Sequence, residues 1–167
     1  MDLKSRQAPI KERYKADPAA ALVTLTAEAR QGETSTACSI DIGRALYEAQ
    51  AHAGVGGAGT AACSGDMLLA ALAACAQLTC QMVAESMGVP LLRVDVTVEG
   101  DLDLRGTLAV ARKAPVGFAA IRTRFKIDAP DATDEQIERL RRSTEAFCTV
   151  LQTLTKPPPI DTAWARG

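Results

Sequence analysis

Apolar and polar positions along this chain separate strands from helices before any other property is considered. Over Ala21 to Ala29, ALVTLTAEA sets Leu22, Thr24 and Thr26 on one side and Val23, Leu25 and Ala27 on the other, which predicts a strand. Gln31-Gly32 reads as a turn, and Thr34 to Tyr47 holds two further strand segments. The run AHAGVGGAGTAACSG, Ala51 to Gly65, is too rich in glycine and small residues for a core element and reads as a loop. Asp66 to about Met87 carries the strongest helical signal, rich in Ala, Leu, Met and Gln, with Gly88 as its stop and Pro90 behind it. Leu68, Leu72, Cys75, Thr79 and Met82 recur at helical spacing and are expected on one buried face, while Ala70, Ala71, Ala73 and Ala74 let neighbouring backbone approach.

The second half alternates again. Leu91 to Val98 predicts a strand, Gly100-Asp101 a turn, Leu102 to Val110 the next strand and Phe118 to Ile127 another, the last with Arg122, Arg124 and Lys126 on its wet side. A second helix starts at TDEQ, where Thr133 caps and Gln136 returns the bond. Ile137, Leu140, Thr144, Phe147, Cys148 and Leu151 trace its inner face. Pro157, Pro158 and Pro159 end regular structure, and Ile160 to Trp164 is expected to return as an edge strand. The sum is an α+β fold with two long helices packed on a largely antiparallel sheet. Residues 1–20 form a charged arm, which has room for one short helix, and 21–167 a single domain.

Composition narrows the partners. A net charge of −1 and few aromatics give neither the field nor the stacking surface that a nucleic acid requires. The apolar stretch Met67 to Cys80 contains Gln77 and falls short of the roughly 20 residues of a membrane span. The N-terminus lacks the apolar core of a secretory signal, so a cytosolic protein with neither nucleic-acid nor membrane partners is expected. Five cysteines, at 38, 63, 75, 80 and 148, form no C-x-x-C pair, and with the single His52 they match no zinc pattern, so no metal is expected.

Cys75 and Cys80 are five residues apart, roughly 140° around a helix, so only one of them is expected to face the second helix. Cys75 lies on the Leu72 face and Cys148 on the apolar face of the later helix, so both can reach one interior. If they meet, a Cys75 thiolate could reduce a peroxide and Cys148 close a disulfide; the competing reading is two ordinary buried thiols. An apolar pocket raises a thiol pKa, so such a site needs a cation or backbone donors to keep its thiolate. Arg30, at the end of the first strand, is the candidate cation. Cys80 reads as packing, Cys38 and Cys63 stay unassigned, and His52 is either a substrate contact or a solvated loop residue.

Three segments carry a resemblance: VGGAGTAACSGDMLLAALAAC from Val55 to Cys75, TCQMVAESMG directly beyond it, and EAFCTVLQTL from Glu145 to Leu154. Together they resemble the OsmC/Ohr family of thiol-dependent peroxidases. The resemblance implies an intertwined homodimer that reduces organic hydroperoxides, with hydrogen peroxide a further candidate, in a two-cysteine cycle recycled by an external dithiol and without a bound cofactor. It carries Cys75 over as the attacking residue, Cys148 as its resolving partner and Arg30 as the arginine that activates the thiolate. The family's arginine-holding glutamate falls at Gly65, which leaves the neighbouring Asp66 for that role; Ser64 and Thr149 stand where prolines are usual. A thiol protein acting on another small electrophile and a noncatalytic dimer with buried thiols are the alternative functions.

Overall fold

The structure is a computed structural model and describes Ala16 and residues 28–31, 37–41, 46–109 and 111–166. The charged arm, apart from Ala16, and most of the first predicted strand lie outside the described residues. Strands β1 (Glu28–Gln31), β2 (Ala37–Asp41) and β3 (Leu46–Gln50) form an antiparallel meander in the order β1-β2-β3, with Arg30 opposite Ser39 and Ser39 opposite Glu48. A 3-10 turn at Ala53–Val55 leads to helix α1 (Ser64–Met87), which begins two residues earlier than the sequence pattern indicates. Gly88, at φ 66°, ends it, a left-handed conformation that glycine adopts without a side-chain penalty.

Strand β4 (Arg93–Leu102) pairs with β5 (Phe118–Asp128). The ladder is antiparallel: Arg122 meets Asp101, Arg124 meets Glu99, and the Leu92 N–H reaches the Asp128 carbonyl at 2.9 Å. Between them the four-residue helix α2 (Leu104–Thr107) is capped by Asp103, which accepts from the Arg105 N–H at 3.1 Å. Helices α3 (Asp134–Phe147) and α4 (Thr149–Thr155) follow. The expected capping box is present, with Gln136 N–H on Thr133 Oγ1 at 3.2 Å and Thr133 N–H on Gln136 Oε1 at 2.8 Å.

Three expectations are corrected. Gly100-Asp101 is not a turn, because β4 runs straight through it and no strand spans 102–110. A Cβ on Gly100 would come within 2.6 Å of Phe118 Cδ1 and 3.1 Å of Leu69 Cδ2, so the glycine seats an aromatic ring rather than reversing the chain. Ile160 to Trp164 forms no strand, and both named residues are exposed. The buried face of α1 is Leu72, Ala76, Thr79, Cys80 and Ala84, while Leu68 and Met82 lie toward solvent. Of the alanines expected to admit neighbouring backbone, Ala70, Ala71 and Ala74 are exposed, and the buried alanines are Ala76 and Ala84 instead. At 24 residues α1 is also long and apolar enough to cross a membrane by length and composition, whereas the sequence pattern suggested a shorter stretch.

Contacts divide the chain into two compact units, Met1–Ala70 with Thr97–Arg124, and Ala71–Val96 with Phe125–Gly167. In the second, Cys80, Ala84, Val89, Val94 and Leu140 form a buried cluster flanked by Val83, Met87, Leu91, Val96, Phe125 and Ile127. The Gln77 amide anchors α1 there by donating to the Val94 carbonyl at 2.7 Å.

Candidate active site

The site begins with a break in a helix. α3 stops at Phe147, and Cys148, at φ −72° and ψ 102°, serves as its C-cap and as the N-cap of α4. Its N–H still bonds to the Thr144 carbonyl at 3.0 Å, and its carbonyl accepts from Gln152 at 2.9 Å, so both helices are closed through one extended residue. The first N–H groups of a helix have no partner inside it. In α4 those groups, on Thr149 and Val150, point at the sulfur of Cys75 on α1.

Burial pushes the Cys75 thiol up. The Val150 N–H, the Cys148 thiol, the Thr79 hydroxyl and the Thr149 N–H together outweigh it and hold the group below the ordinary thiol range. Cys148 goes the other way: burial raises it, the adjacent Cys75 sulfur raises it further, and the Leu151 and Val150 N–H groups only partly compensate. Cys75 is half-buried and Cys148 fully buried, and both are free. The arrangement is therefore one accessible sulfur biased toward thiolate and one sealed sulfur that keeps its proton and donates it to the first. Of the two sources of thiolate stabilisation anticipated from sequence, backbone donors lie among the described residues, on Thr149 and Val150.

Arg30 sits in β1, and its side chain lies outside the described residues. Asp66 is the third residue of α1 and accepts from the Cys63 N–H at 2.9 Å, closing the helix start as a cap; the Cys63 N–H and thiol lower its pKa against a small burial effect. The arginine-holding role expected of it turns on Arg30 and so lies outside the described residues. His52 Nδ1 accepts from the Gly54 N–H at 3.0 Å and caps the 3-10 turn.

The expectation that only one of Cys75 and Cys80 faces the second helix is overturned. Cys75 meets Cys148, while Cys80, whose thiol burial pushes up, meets Thr144 one helical turn before Cys148. The two sulfurs, five residues apart on α1, thus both have neighbours in the stretch from Thr144 to Val150. Sequence reasoning missed Thr79 as a donor, although its place four residues after Cys75 was the available signal. It also missed the Thr149 and Val150 amides, which no side-chain pattern marks.

The sequence profile of the family described as OsmC-like protein matches residues 57–163, a span that contains both sulfurs of the site. This chain belongs to the OsmC-like family. Solved OsmC-like structures share its fold. An OsmC-like protein from Mycoplasma pneumoniae superimposes with a TM-score of 0.66 at 15% identity, over 81% of this chain and 89% of that one. An organic hydroperoxide resistance protein from Legionella pneumophila gives 0.60 at 19% identity, over 81% and 91%. One from Elizabethkingia anophelis gives the same 0.60, 19%, 81% and 91%. No curated protein matches at the sequence level.

Proposed function

We propose that this OsmC-like chain reduces organic hydroperoxides with Cys75 as nucleophile and Cys148 as resolving thiol. The observation that carries the reading is the opposed pair, a half-buried Cys75 pushed toward thiolate and a sealed Cys148 pushed toward thiol, joined by a hydrogen bond. The Cys75 thiolate attacks the terminal peroxide oxygen; the O–O bond breaks, the sulfur becomes a sulfenic acid and an alkoxide leaves. The proton that Cys148 directs at Cys75 is available to that alkoxide, which departs as the alcohol. Cys148, now a thiolate, attacks the sulfenic sulfur, the disulfide forms and hydroxide leaves to become water with one proton from solvent. An external dithiol supplies two electrons to restore the pair.

Membership of the family and the names of the Legionella and Elizabethkingia relatives support the substrate class. Free thiols at Cys63, Cys75, Cys80 and Cys148 fit a reducing compartment such as the cytosol. A second copy of the chain is the proposed partner, a reading supported by Leu78, Leu92 and Phe147, which stand exposed in the single chain. The test is consumption of cumene hydroperoxide with dithiothreitol as reductant. Wild type turns over saturably, C75S does not, and C148S accumulates a sulfenic acid at Cys75 that dimedone traps. Undiminished turnover in C75S overturns the proposal.

A further inference from the structure

Cys148 is 0% exposed, and its backbone is held from both sides. Its N–H donates to the Thr144 carbonyl at 3.0 Å, and its carbonyl accepts from the Gln152 N–H at 2.9 Å. The backbone that carries this sulfur therefore cannot turn outward without opening α3 or α4. A second copy of the chain can only bury it further. Cys75 differs: it is half-buried in the middle of α1, where the helix covers its own backbone, so the opening belongs to the side chain. Ala71 and Ala74, beside it on the helix, are exposed and carry only methyl groups.

We propose that the external dithiol enters the cycle at the sulfur of Cys75 alone: the mixed disulfide forms there, and Cys148 is the sulfur released. This rests on the two-cysteine reading and adds the half of the cycle which that reading leaves open, the route of the reductant. A thiolate attacks a disulfide along the S–S axis, from behind the sulfur it strikes. Behind Cys148 lies only the interior, and in the oxidised pair the Cys75 sulfur, bonded directly to it, covers its remaining side. Leaving-group strength points the other way, because a thiol of lower pKa departs more readily and Cys75 is the lower of the two. Access decides, since a sulfur with no exposed surface offers no trajectory, however good the group it would release.

The first sulfur of the reductant, as a thiolate, bonds to Cys75. The Cys75–Cys148 bond breaks, and its electron pair leaves on Cys148, which takes a proton from solvent. The second thiol of the reductant gives its proton to solvent and attacks its own first sulfur. A ring disulfide closes, and Cys75 leaves as the thiolate from which the cycle starts. The dithiol loses two electrons and the cysteine pair gains them. One opening thus serves both substrates in turn, peroxide at the reduced sulfur and dithiol at the oxidised one.

The experiment is sulfitolysis of the oxidised, full-length wild type. Sulfite cleaves a disulfide into an S-sulfonate on the sulfur it attacks and a thiolate on the other, and the sulfonate does not migrate. The pair is oxidised with diamide, which needs no peroxide, exposed briefly to sulfite, and quenched into guanidinium with N-ethylmaleimide. Fragment masses then locate both marks. In the folded chain the S-sulfonate is expected on Cys75 over Cys148 by about tenfold or more, with the maleimide on Cys148. In urea, where both sulfurs are open, that preference is expected to collapse. An S-sulfonate on Cys148 in the folded chain, or the same distribution folded and unfolded, overturns the proposal. Failure of diamide to join Cys75 to Cys148 overturns it together with the two-cysteine reading. A chain sulfonated at Cys75 that consumes no cumene hydroperoxide overturns the substrate class and supports the entry point. Peroxide turnover with the S-sulfonate on Cys148 overturns the entry point alone.

Discussion

The thiol of Cys148 donates to the sulfur of Cys75, and the two groups are displaced in opposite directions, Cys75 below the ordinary thiol range and Cys148 above it. Each displacement is partly the work of the other residue, so each should move when the other is removed. In C148A the Cys75 midpoint should rise, because a donor is lost. In C148S it should rise less, because a hydroxyl still donates. In C75S the Cys148 midpoint should fall, because the neighbouring negative charge is gone. Alkylation rates against pH check all three, and movement of either midpoint in the opposite direction would contradict the contact.

The same displacement makes stability depend on pH. The folded Cys75 ionises at lower pH than the unfolded one, so across the interval between those values the unfolded chain binds more protons and stability rises with pH. This contribution is complete above the unfolded value and is lost as pH falls through the folded one. Cys148 pulls the other way, and a C148S background removes it. Urea unfolding of C148S and of C75S/C148S between neutral and mildly alkaline pH is expected to show a stability difference that widens as pH rises. A constant difference would mean that Cys75 ionises at the same pH folded and unfolded, and a difference that shrinks would mean that folding raises it.

Much of this site was legible in sequence, and what was not has a physical cause. Thr133 with Gln136 marks the start of α3 by a side-chain pattern alone, whereas the faces that periodicity draws hold only in part: Leu72, Thr79, Leu140 and Thr144 are buried as expected, but Leu68, Met82 and Phe147 are exposed. The break at Cys148 leaves no such mark: a sequence that continues Phe147, Leu151 and Leu154 at helical spacing reads as one helix, and only the extended ψ of Cys148 divides it. The Thr149 and Val150 amides enter the site through that division. Gly100 misled for the opposite reason, since a glycine before an aspartate suits a turn, yet packing of the Phe118 ring decides its place inside β4. Local propensity loses wherever a distant side chain needs the space.

Thr149 offers a test of the amide donors that spares the fold. It is the first residue of α4, where proline is tolerated, and the preceding Cys148 already has the extended backbone that a residue before proline prefers. Its N–H reaches Cys75. T149P therefore deletes one donor from the sulfur and little else. The Cys75 midpoint should rise while far-ultraviolet circular dichroism and the unfolding midpoint stay near wild type. A rise absent from a well-folded T149P would remove the Thr149 amide from the account.

Asp66 is expected to act on stability through the cap it forms at Cys63. D66A should lower the unfolding free energy by about 0.5–1 kcal/mol at neutral pH, the usual worth of such a cap on an exposed helix end. The folded pKa of the carboxylate lies below its unfolded value, so its contribution is present above the unfolded value and lost as pH falls through the folded one. D66A and wild type should accordingly converge in acid. Chemical denaturation at neutral pH and near pH 3 measures the gap; a gap that persists at low pH would show that the charge of Asp66 is not what holds the cap.

Thr144 is the place where the interior departs from full hydrogen bonding. Its hydroxyl is buried and has no partner of ordinary geometry among the described residues, and its effect on Cys80 is a weak lowering beneath the dominant burial effect. A buried hydroxyl without a partner costs free energy, and an isosteric apolar group removes that cost. T144V is therefore expected to stabilise the chain by about 1 kcal/mol, a rise in melting temperature of about 2–4 °C for a protein of this size. The carbonyl of residue 144 still accepts from Cys148 in the variant, so the helix break and the geometry of the sulfur pair are kept. Calorimetry decides the sign. A loss of stability would mean that the Thr144 hydroxyl and the Cys80 thiol form a full hydrogen bond, tying Cys80 of α1 to α3, the helix that ends at Cys148.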